Sequence, residues 1–417
     1  MTVLTDIGQL ATCPPDAAGV GLVDRAALAW DAGQVVWTGL EADLPKHLAD
    51  APRQSAGGRL VVPGLVDCHT HLVHAGDRSD EFVARIEGTP YLEVARRGGG
   101  ILKTVRATRA ASDEELEASA RQRLATMLRQ GVTTVEAKSG YGLTVADEIR
   151  TLRLVQRLAA EVPQRIIGTL LAAHVVPPEW ADDRAGYVRQ IVDEMIPVVA
   201  SERLAAFVDV FVEEGAYTPD EARTIFEAGR AHGLGAKLHA DQLSDTGGGA
   251  LAAEVGAASA DHLECISAGG IAAMAEAGVV AVSLPVATLV LGQEPMPARR
   301  LLDAGVQVAV ATDFNPGSAP SASLPLALWL SCTRQRMTPA QALRGATAEA
   351  ARALALTDGT GSLVTGAPAD FAVFDAPTLD AWLAGWDTRR AVRTVIGGET
   401  AWEESLEKRR EGSGIRP

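Results

Sequence analysis

The 417-residue sequence lacks the patterns of several common protein classes. Its four cysteines stand singly, without a C-x-x-C motif, which argues against a disulfide framework or a thiolate zinc site and favours a reducing cytosol. Basic residues are not in excess: the formal net charge of −15 argues against a general affinity for nucleic acid or anionic membranes. A local arginine can still bind a small anionic substrate.

Long uninterrupted apolar runs are also missing. The most apolar stretch, residues 277–292, contains Pro285 and is too short to span a bilayer comfortably. The first sixteen residues do not show the pattern of a signal peptide. We therefore expect a soluble, cytoplasmic protein without membrane or nucleic-acid partners.

What the sequence does contain is eight short apolar runs that alternate with longer amphipathic segments. The runs lie at residues 60–67, 131–138, 165–174, 207–214, 234–241, 256–264, 278–285 and 306–313. Several are continuous and rich in Val and Ala, as is typical of strands buried on both faces. Between runs, capping boxes that begin at Ser112 and Thr218 predict helices.

This alternation predicts an α/β protein with a (β/α)₈ TIM-like barrel over residues 58–359. A doubly wound open sheet is disfavoured because no G-x-G-x-x-G motif follows the first run. Residues 1–57 and 360–417 contain short alternating strands with glycine turns, so both chain ends are expected to form one small β-sandwich domain.

Ionisable side chains recur where the predicted strands end. They are His69, His71, Lys138, His174, His239, His262 and Asp313. The carboxyl ends of the strands form the catalytic face of such a barrel. Strand residues i and i+2 point to the same side, so both imidazoles of the "HTH" motif are expected to face the barrel mouth.

Nitrogen and oxygen donors that converge without sulfur suit Zn²⁺, Fe²⁺ or another first-row divalent ion. We predict His69, His71, His239 and Asp313 as ligands, with a water or hydroxide completing the shell. Asp313 alone could cap a helix, but an unpaired carboxylate at the end of a buried strand is costly, which favours a ligand. Lys138 could be a carboxylated bridge to a second metal; a structural ion pair is the favoured interpretation.

Six sequence stretches together resemble one enzyme family, the imidazolonepropionases, which are metal-dependent amidohydrolases of histidine breakdown. The stretches are "PGLVDCHTHLVHAGDRSDEF", "GGGILKTVRATR", "EAKSGYGL", "KLHADQ", "ADHLE" and "ATDFNPGS", and the resemblance covers about residues 55–375. The H-x-H motif and the final Asp are shared by the whole amidohydrolase superfamily. The second, third and sixth stretches are far more specific. The resemblance implies that metal-bound hydroxide opens the cyclic amide of 4-imidazolone-5-propanoate to N-formimidoyl-L-glutamate.

The resemblance also implies roles for individual residues. His262, with Asp313, is expected to be catalytic as the proton shuttle to the leaving ring nitrogen, although a fifth ligand or an orienting group is the alternative. Arg78 is expected to bind the propanoate carboxylate; a surface ion pair with Asp80 or Glu81 is its alternative.

Further substrate-contacting positions follow from the same resemblance. They are Tyr141, His174, Gln242, Asn315, Gly317 and Ser318, with Tyr91 a weaker candidate. Gln242 stands where relatives can have Glu. Because an amide cannot act as a base, the general-base role is expected to fall on His262 with Asp313. The glycine-rich loop at residues 96–101 is either a mobile cover or a plain turn.

Two other functions compete with this hypothesis. One is another amidohydrolase-type enzyme, either a cytosine- or guanine-type deaminase, which would release ammonia, or another cyclic amidase. The other is a metal-binding barrel without catalysis, which the complete ligand set together with His262 disfavours. Zinc and iron both accept three histidines and one aspartate, so the metal stays open, and a homodimer is compatible with the sequence.

Overall fold

The computed structural model describes residues 1–89, 99–385 and 390–404. Its strands are β1 (Thr2–Ala11), β2 (Leu22–Asp31), β3 (Gln34–Leu40), β4 (Arg53–Pro63), β5 (Leu65–Asp67), β6 (Val132–Lys138), β7 (Arg165–Ala173), β8 (Phe207–Val212), β9 (Gly235–Ala240), β10 (Ser259–His262), β11 (Val280–Ser283), β12 (Val308–Val310), β13 (Phe371–Phe374), β14 (Ala391–Ile396) and β15 (Glu399–Glu403). They form two sheets: β5 to β12 in sequential order, and β15-β14-β13-β4-β1-β2-β3.

The first sheet is the barrel, in which each strand runs parallel to the next one along the chain. Its two outer strands meet through backbone hydrogen bonds just beyond their ends. Asp313 N donates to His69 O at 3.1 Å, and His71 N donates to Phe314 O at 2.9 Å. Closing the barrel therefore brings the segments after β5 and β12 together, and with them three of the predicted metal ligands.

Helices cover the outside of the barrel. They are α1 (Ser79–Ile86), α2 (Ile101–Ala110), α3 (Asp113–Leu128), α4 (Val145–Glu161), α5 (Arg184–Gln190), α6 (Ile196–Ser201), α7 (Pro219–Ala231), α8 (Gly248–Val255), α9 (Ala268–Ala277), α10 (Pro285–Leu291), α11 (Ala298–Asp303), α12 (Leu324–Gln335), α13 (Pro339–Gly345), α14 (Ala348–Ala353) and α15 (Leu379–Leu383). A π-helical turn, Ile191–Met195, joins α5 to α6, and 3₁₀ turns lie at Glu41–Asp43, Lys46–Leu48 and Pro178–Trp180. Both predicted capping boxes are present, at Ser112 before α3 and at Thr218 before α7.

The accessory domain takes the form of one seven-stranded mixed sheet to which both chain ends contribute. One face buries an apolar cluster that includes Leu4, Ile7 and Phe371, and Trp30 contacts Phe371 edge to face at 5.4 Å between ring centroids. A barrel with an added β domain built from both ends is thus confirmed. The exact division at residues 57 and 360 stays a prediction.

The apolar run at residues 60–67 was expected to be one strand, but the structure divides it. Pro63 ends β4 in the accessory sheet, and Leu65 begins β5 in the barrel. Gly64 lies at the junction, where a Cβ would be only 2.3 Å from Thr133 Oγ1. The sequence of an apolar run does not show which of two sheets each half joins, because both sheets bury their strands.

Among the described residues, none of the helices combines the length and the apolar character that crossing a membrane requires.

Candidate metal centre and active site

Three histidines and one aspartate converge at the carboxyl end of the barrel. His69 and His71 follow β5, His239 lies in β9, and Asp313 follows β12; each is at most 3% exposed. Nε2 of His69 and Nε2 of His71 each lie 3.4 Å from Asp313 Oδ1. The His69 and His239 rings are 4.5 Å apart between centroids. The structure thus gathers all four predicted ligands around His69, in two overlapping groups: His69, His71 and Asp313, and His69 and His239 with His262.

The donor atoms at this point fit a divalent metal. His69 Nδ1 donates to Asp261 Oδ2 at 2.6 Å, and His239 Nδ1 donates to Asp209 Oδ1 at 3.1 Å. Nε2 of each ring is buried and has no hydrogen-bond partner within the described ranges. Buried polar atoms are rarely left unpaired, and ligand histidines characteristically donate their other N–H to a carboxylate. A metal ion held by histidine and aspartate accounts for both lone pairs.

Lys138 lies beneath this site inside the barrel, with a fully buried side chain. Its Nζ is 2.7 Å from Asp209 Oδ2, 3.1 Å from Glu136 Oε1 and 3.5 Å from Asp261 Oδ2. Lys237 adds a second ammonium at 3.3 Å from Glu136 Oε2. The interpretation of Lys138 as a structural ion pair is confirmed.

Asp209 and Asp261, which pair with two of the predicted ligand histidines, were not singled out from the sequence. Burial alone would raise the pKa of the Asp261 carboxyl, but Lys237, Lys138 and the hydrogen bond from His69 bring that pKa well below its ordinary value. The same opposition of burial against His239 and Lys138 lowers the pKa of Asp209. Both carboxylates are therefore charged acceptors for two of the predicted ligand histidines, His69 and His239. Asp209 could have been identified from the sequence, because an aspartate inside the apolar run "FVDVFV" needs a buried partner.

Tyr141 and His174 lie beside the histidine cluster. The His174 ring stacks on His71 at 5.1 Å with 15° between planes, and Tyr141 is 5.5 Å from His71. His174 Nδ1 donates to Gly140 O at 3.1 Å. Burial lowers the pKa of His174 well below its ordinary value, so the ring is neutral and Nε2 can accept a hydrogen bond.

A buried carboxylate fixes the loop that carries Tyr141. Glu148 accepts hydrogen bonds from Gly142 N at 2.8 Å and Leu143 N at 2.7 Å, and both its oxygens also accept from Gly140 N. Because four backbone contacts converge on one side chain, the "SGYGL" stretch is held rigidly against the barrel.

Arg78 forms the ion pair with Glu81 that was its alternative role, although the pair is buried and not at the surface; carboxylate binding stays a prediction. Its side chain is buried, and Nε donates to Glu81 Oε2 at 2.8 Å, so the ion pair exists. The guanidinium also lies against Gly317, where a Cβ would be 2.0 Å from Nη1. Glycine at 317 therefore permits the close approach of the arginine to the turn after β12.

The turn after β12 uses Asn315 in a way that the sequence analysis did not anticipate. Asn315 Nδ2 donates to Asp313 O at 2.7 Å, and Oδ1 accepts from Gly317 N and Ser318 N, both at 2.8 Å. The side chain thus holds the turn together, and a contact between Asn315 and substrate stays a prediction.

His262 ends β10 beside the ligand cluster, 5.5 Å from His239 between ring centroids. One of its nitrogens lies within 4.8 Å of the ligand atoms of His69 and His239, a position that suits both a proton shuttle and a fifth ligand.

Gln242 is half-buried, in a loop held by the hydrogen bond from Leu243 N to Glu213 Oε2 at 2.8 Å. Tyr91 and residues 96–98 of the glycine-rich loop lie outside the described residues.

Comparison with known proteins identifies the family. Residues 60–401 match the Amidohydrolase family. The imidazolonepropionase of Paracoccus denitrificans is 48% identical over 394 residues, which cover 94% of this chain and 98% of that protein. That of Erwinia tasmaniensis is 50% identical over 383 residues, or 91% of this chain and 94% of that protein. The chain belongs to the imidazolonepropionase family.

Solved structures of other amidohydrolases share the fold at low identity. The 5-methylcytosine deaminase of Klebsiella pneumoniae superposes with a TM-score of 0.74 at 16% identity, covering 100% of this chain and 99% of that chain. The atrazine chlorohydrolase of Arthrobacter aurescens TC1, solved with zinc, gives 0.73 at 17% identity and 99% coverage of both chains. Because these two proteins differ in reaction, the fold does not select the chemistry. Membership of the imidazolonepropionase family does: the chain is a hydrolase of the carbon–nitrogen bond in a cyclic amide, in histidine metabolism.

Proposed function

We propose that the site formed by His69, His71, His239, Asp313 and His262 opens the ring of 4-imidazolone-5-propanoate to give N-formimidoyl-L-glutamate. The observation that carries this proposal is the convergence of those side chains at the barrel mouth of a chain of this family. A cytosine- or guanine-type deaminase would use a similar donor set, but the sequence relatives do not favour it.

Four of these residues, His69, His71, His239 and Asp313, would hold one zinc or iron ion. When bound, such an ion supplies a Lewis acid and lowers the pKa of a water at the site. The chain's own contribution is orientation. Asp261 and Asp209 fix the tautomer of two ligand rings, which leaves Nε2 as the donor atom.

His262 would move the proton. It accepts one proton from the attacking water and returns it to the ring nitrogen as the C–N bond breaks, with Asp313 as the second nearby acceptor. The oxygen of the water joins the carbonyl carbon. Water is thereby added across the amide bond, and the enzyme returns to its starting protonation state.

The remaining residues would bind and orient the substrate. Arg78, buried beside Gly317, would pair with the propanoate carboxylate. His174, neutral and with Nε2 available as an acceptor, suits a ring N–H, and Tyr141 would close the same side. Gln242 and the turn of Asn315, Gly317 and Ser318 would complete the pocket. A homodimer and a cytoplasmic location remain predictions.

The test follows ultraviolet loss of freshly made 4-imidazolone-5-propanoate, with ammonia assayed in parallel and metal identified by elemental analysis. We expect loss of substrate without ammonia. The H262A variant should lower kcat by about 10²–10⁴-fold, the range typical of a general acid–base group. R78A should mainly raise KM, and R189A, which removes an exposed arginine, should leave both constants unchanged. Ammonia release would favour the deaminase, and no turnover by metal-loaded protein would contradict the proposal.

A further inference from the structure

The turn after β10 has an unusual backbone. His262 and Leu263 are consecutive non-glycine residues in the left-handed region, with φ of 80° and 67°. Residues that carry a Cβ adopt this region rarely, and they persist there only where the surrounding structure holds them. The chain therefore reverses sharply directly after the histidine that lies beside the metal ligands.

The neighbouring strand holds this turn in place. Leu263 N donates to Ala240 O at 3.0 Å, and Cys265 N donates to Asp241 O at 2.7 Å. Both acceptors lie at the end of β9, one and two residues beyond His239. Since the turn is tethered on both sides of Glu264, that residue is fixed relative to both His239 and His262.

The reversal places Glu264 against the ring of His262. Glu264 Oε2 is 3.7 Å from His262 Nδ1, and both side chains are only 4% exposed. Each of these two atoms is buried, and neither has a hydrogen-bond partner among the described residues. On the other side of the carboxylate, Thr288 Oγ1 lies 3.4 Å from Glu264 Oε1, while its nearer acceptor is Leu284 O at 3.0 Å. A buried carboxylate oxygen that faces a buried ring nitrogen is a pair that a small rotation would join.

We propose that Glu264 is a positioning residue for the reaction: it accepts the Nδ1–H of His262 and so fixes the tautomer in which Nε2 exchanges protons with water and the ring nitrogen. The inference rests on the proposed function of His262. The arrangement repeats the pairing of Asp261 with His69 and of Asp209 with His239, in which a carboxylate bound to Nδ1 leaves Nε2 for the chemistry.

The decisive comparison is between two variants of similar length. E264M removes the acceptor, whereas E264Q keeps an oxygen that can accept Nδ1–H. We expect E264M to lower kcat about 10–100-fold, the range found for partners of functional histidines, with KM within about twofold of wild type. E264Q should recover most of that loss. Metal content and thermal midpoint are measured for both, and both variants should retain the wild-type metal content.

Two controls separate this inference from the function on which it rests. E276A removes an exposed glutamate of α9 and should leave the kinetic constants unchanged. H262A tests the shuttle itself: if it stays active, the proposed role of His262 fails, and the tautomer proposal fails with it. If H262A is inactive while E264M keeps the wild-type kcat, only the role of Glu264 is overturned. Loss of metal together with kcat in E264M, or an E264Q as impaired as E264M, would overturn it as well.

Discussion

The interiors of the barrel and of the accessory sheet differ in what they bury. The barrel encloses ionisable side chains, namely Glu136, Lys138, Asp209, Lys237 and Asp261, all without exposed side-chain surface. The main cluster of the sheet is built from apolar side chains such as Leu4, Ile7, Trp30 and Phe371. Burying charge is costly, so charge is retained where it performs a task that apolar packing cannot. In the barrel, Asp261 and Asp209 accept hydrogen bonds from His69 and His239, two of the proposed metal ligands.

The largest effect is expected from removing the charge at the centre of the barrel. K138M leaves Asp209 and Asp261 buried without their nearest ammonium, which should lower the free energy of unfolding by about 3–5 kcal/mol and deplete the metal. Denaturant unfolding and elemental analysis of the same preparation measure both. The control R165M breaks an ion pair whose side chains are 45% and 48% exposed, and it should cost under about 1 kcal/mol. Equal stability of K138M and wild type would contradict the view that the buried ion pairs distinguish the barrel from the accessory sheet.

A similar loss of stability, without loss of function, is expected in the accessory sheet. F371A empties a fully buried site against Trp30 and should cost about 3–5 kcal/mol of unfolding free energy. At a temperature where the variant stays folded, kcat and metal content should equal those of wild type. L22A, at the exposed start of β2, is the control and should be nearly neutral. A parallel fall in kcat would show that the sheet contributes to the site.

A smaller and more selective effect is expected from D261N. The substitution weakens the acceptor for His69 Nδ1 while it preserves side-chain volume, so metal affinity should fall about 10–100-fold. Competition with a chromogenic chelator measures that affinity directly. Excess metal should restore activity, which distinguishes weakened binding from a lost catalytic group. The exposed carboxylate variant D220N serves as the control, and an affinity equal to wild type in D261N would contradict the assignment.

The smallest effect on stability is expected from substituting a cysteine. Burial raises the pKa of the Cys13 thiol to about 12 and that of Cys332 to about 11, and it holds the pKa of Cys68 well above its ordinary value. A raised pKa means that the reactive thiolate is scarce below that pH. The pKa of Cys265 is also raised, by partial burial and by neighbouring carboxylates, but Cys265 is the exposed thiol. At pH 8, native protein should react with a thiol reagent mainly at Cys265. C265S should abolish the fast phase without altering the thermal midpoint; fast labelling of Cys13 or Cys68 would contradict this expectation.

Much of the fold could be predicted because its evidence is local. The period and length of the apolar runs predicted the eight barrel strands, and the capping boxes predicted the helices after Ser112 and Thr218. His69 and His71 were expected on one face as strand residues; they lie just beyond the end of β5 and still reach the same site. The division of residues 60–67 between two sheets could not be predicted, since both halves are equally apolar and buried. Asn315 was expected in the pocket, but whether its amide faces substrate or its own turn depends on the backbone angles of the turn.

Residue identity and spacing along the chain were enough to predict the barrel, the histidines and aspartate expected at its strand ends and the family resemblance, because these signals are local in the sequence. The tertiary structure alone decided the pairings: Asp261 with His69 and Asp209 with His239, Lys138 between them, and Glu264 against His262. The first two join residues far apart in sequence, and the last depends on a left-handed turn that residue type does not specify. The strength of each pairing depends on the distance between the charged groups in space, and sequence spacing does not encode that distance.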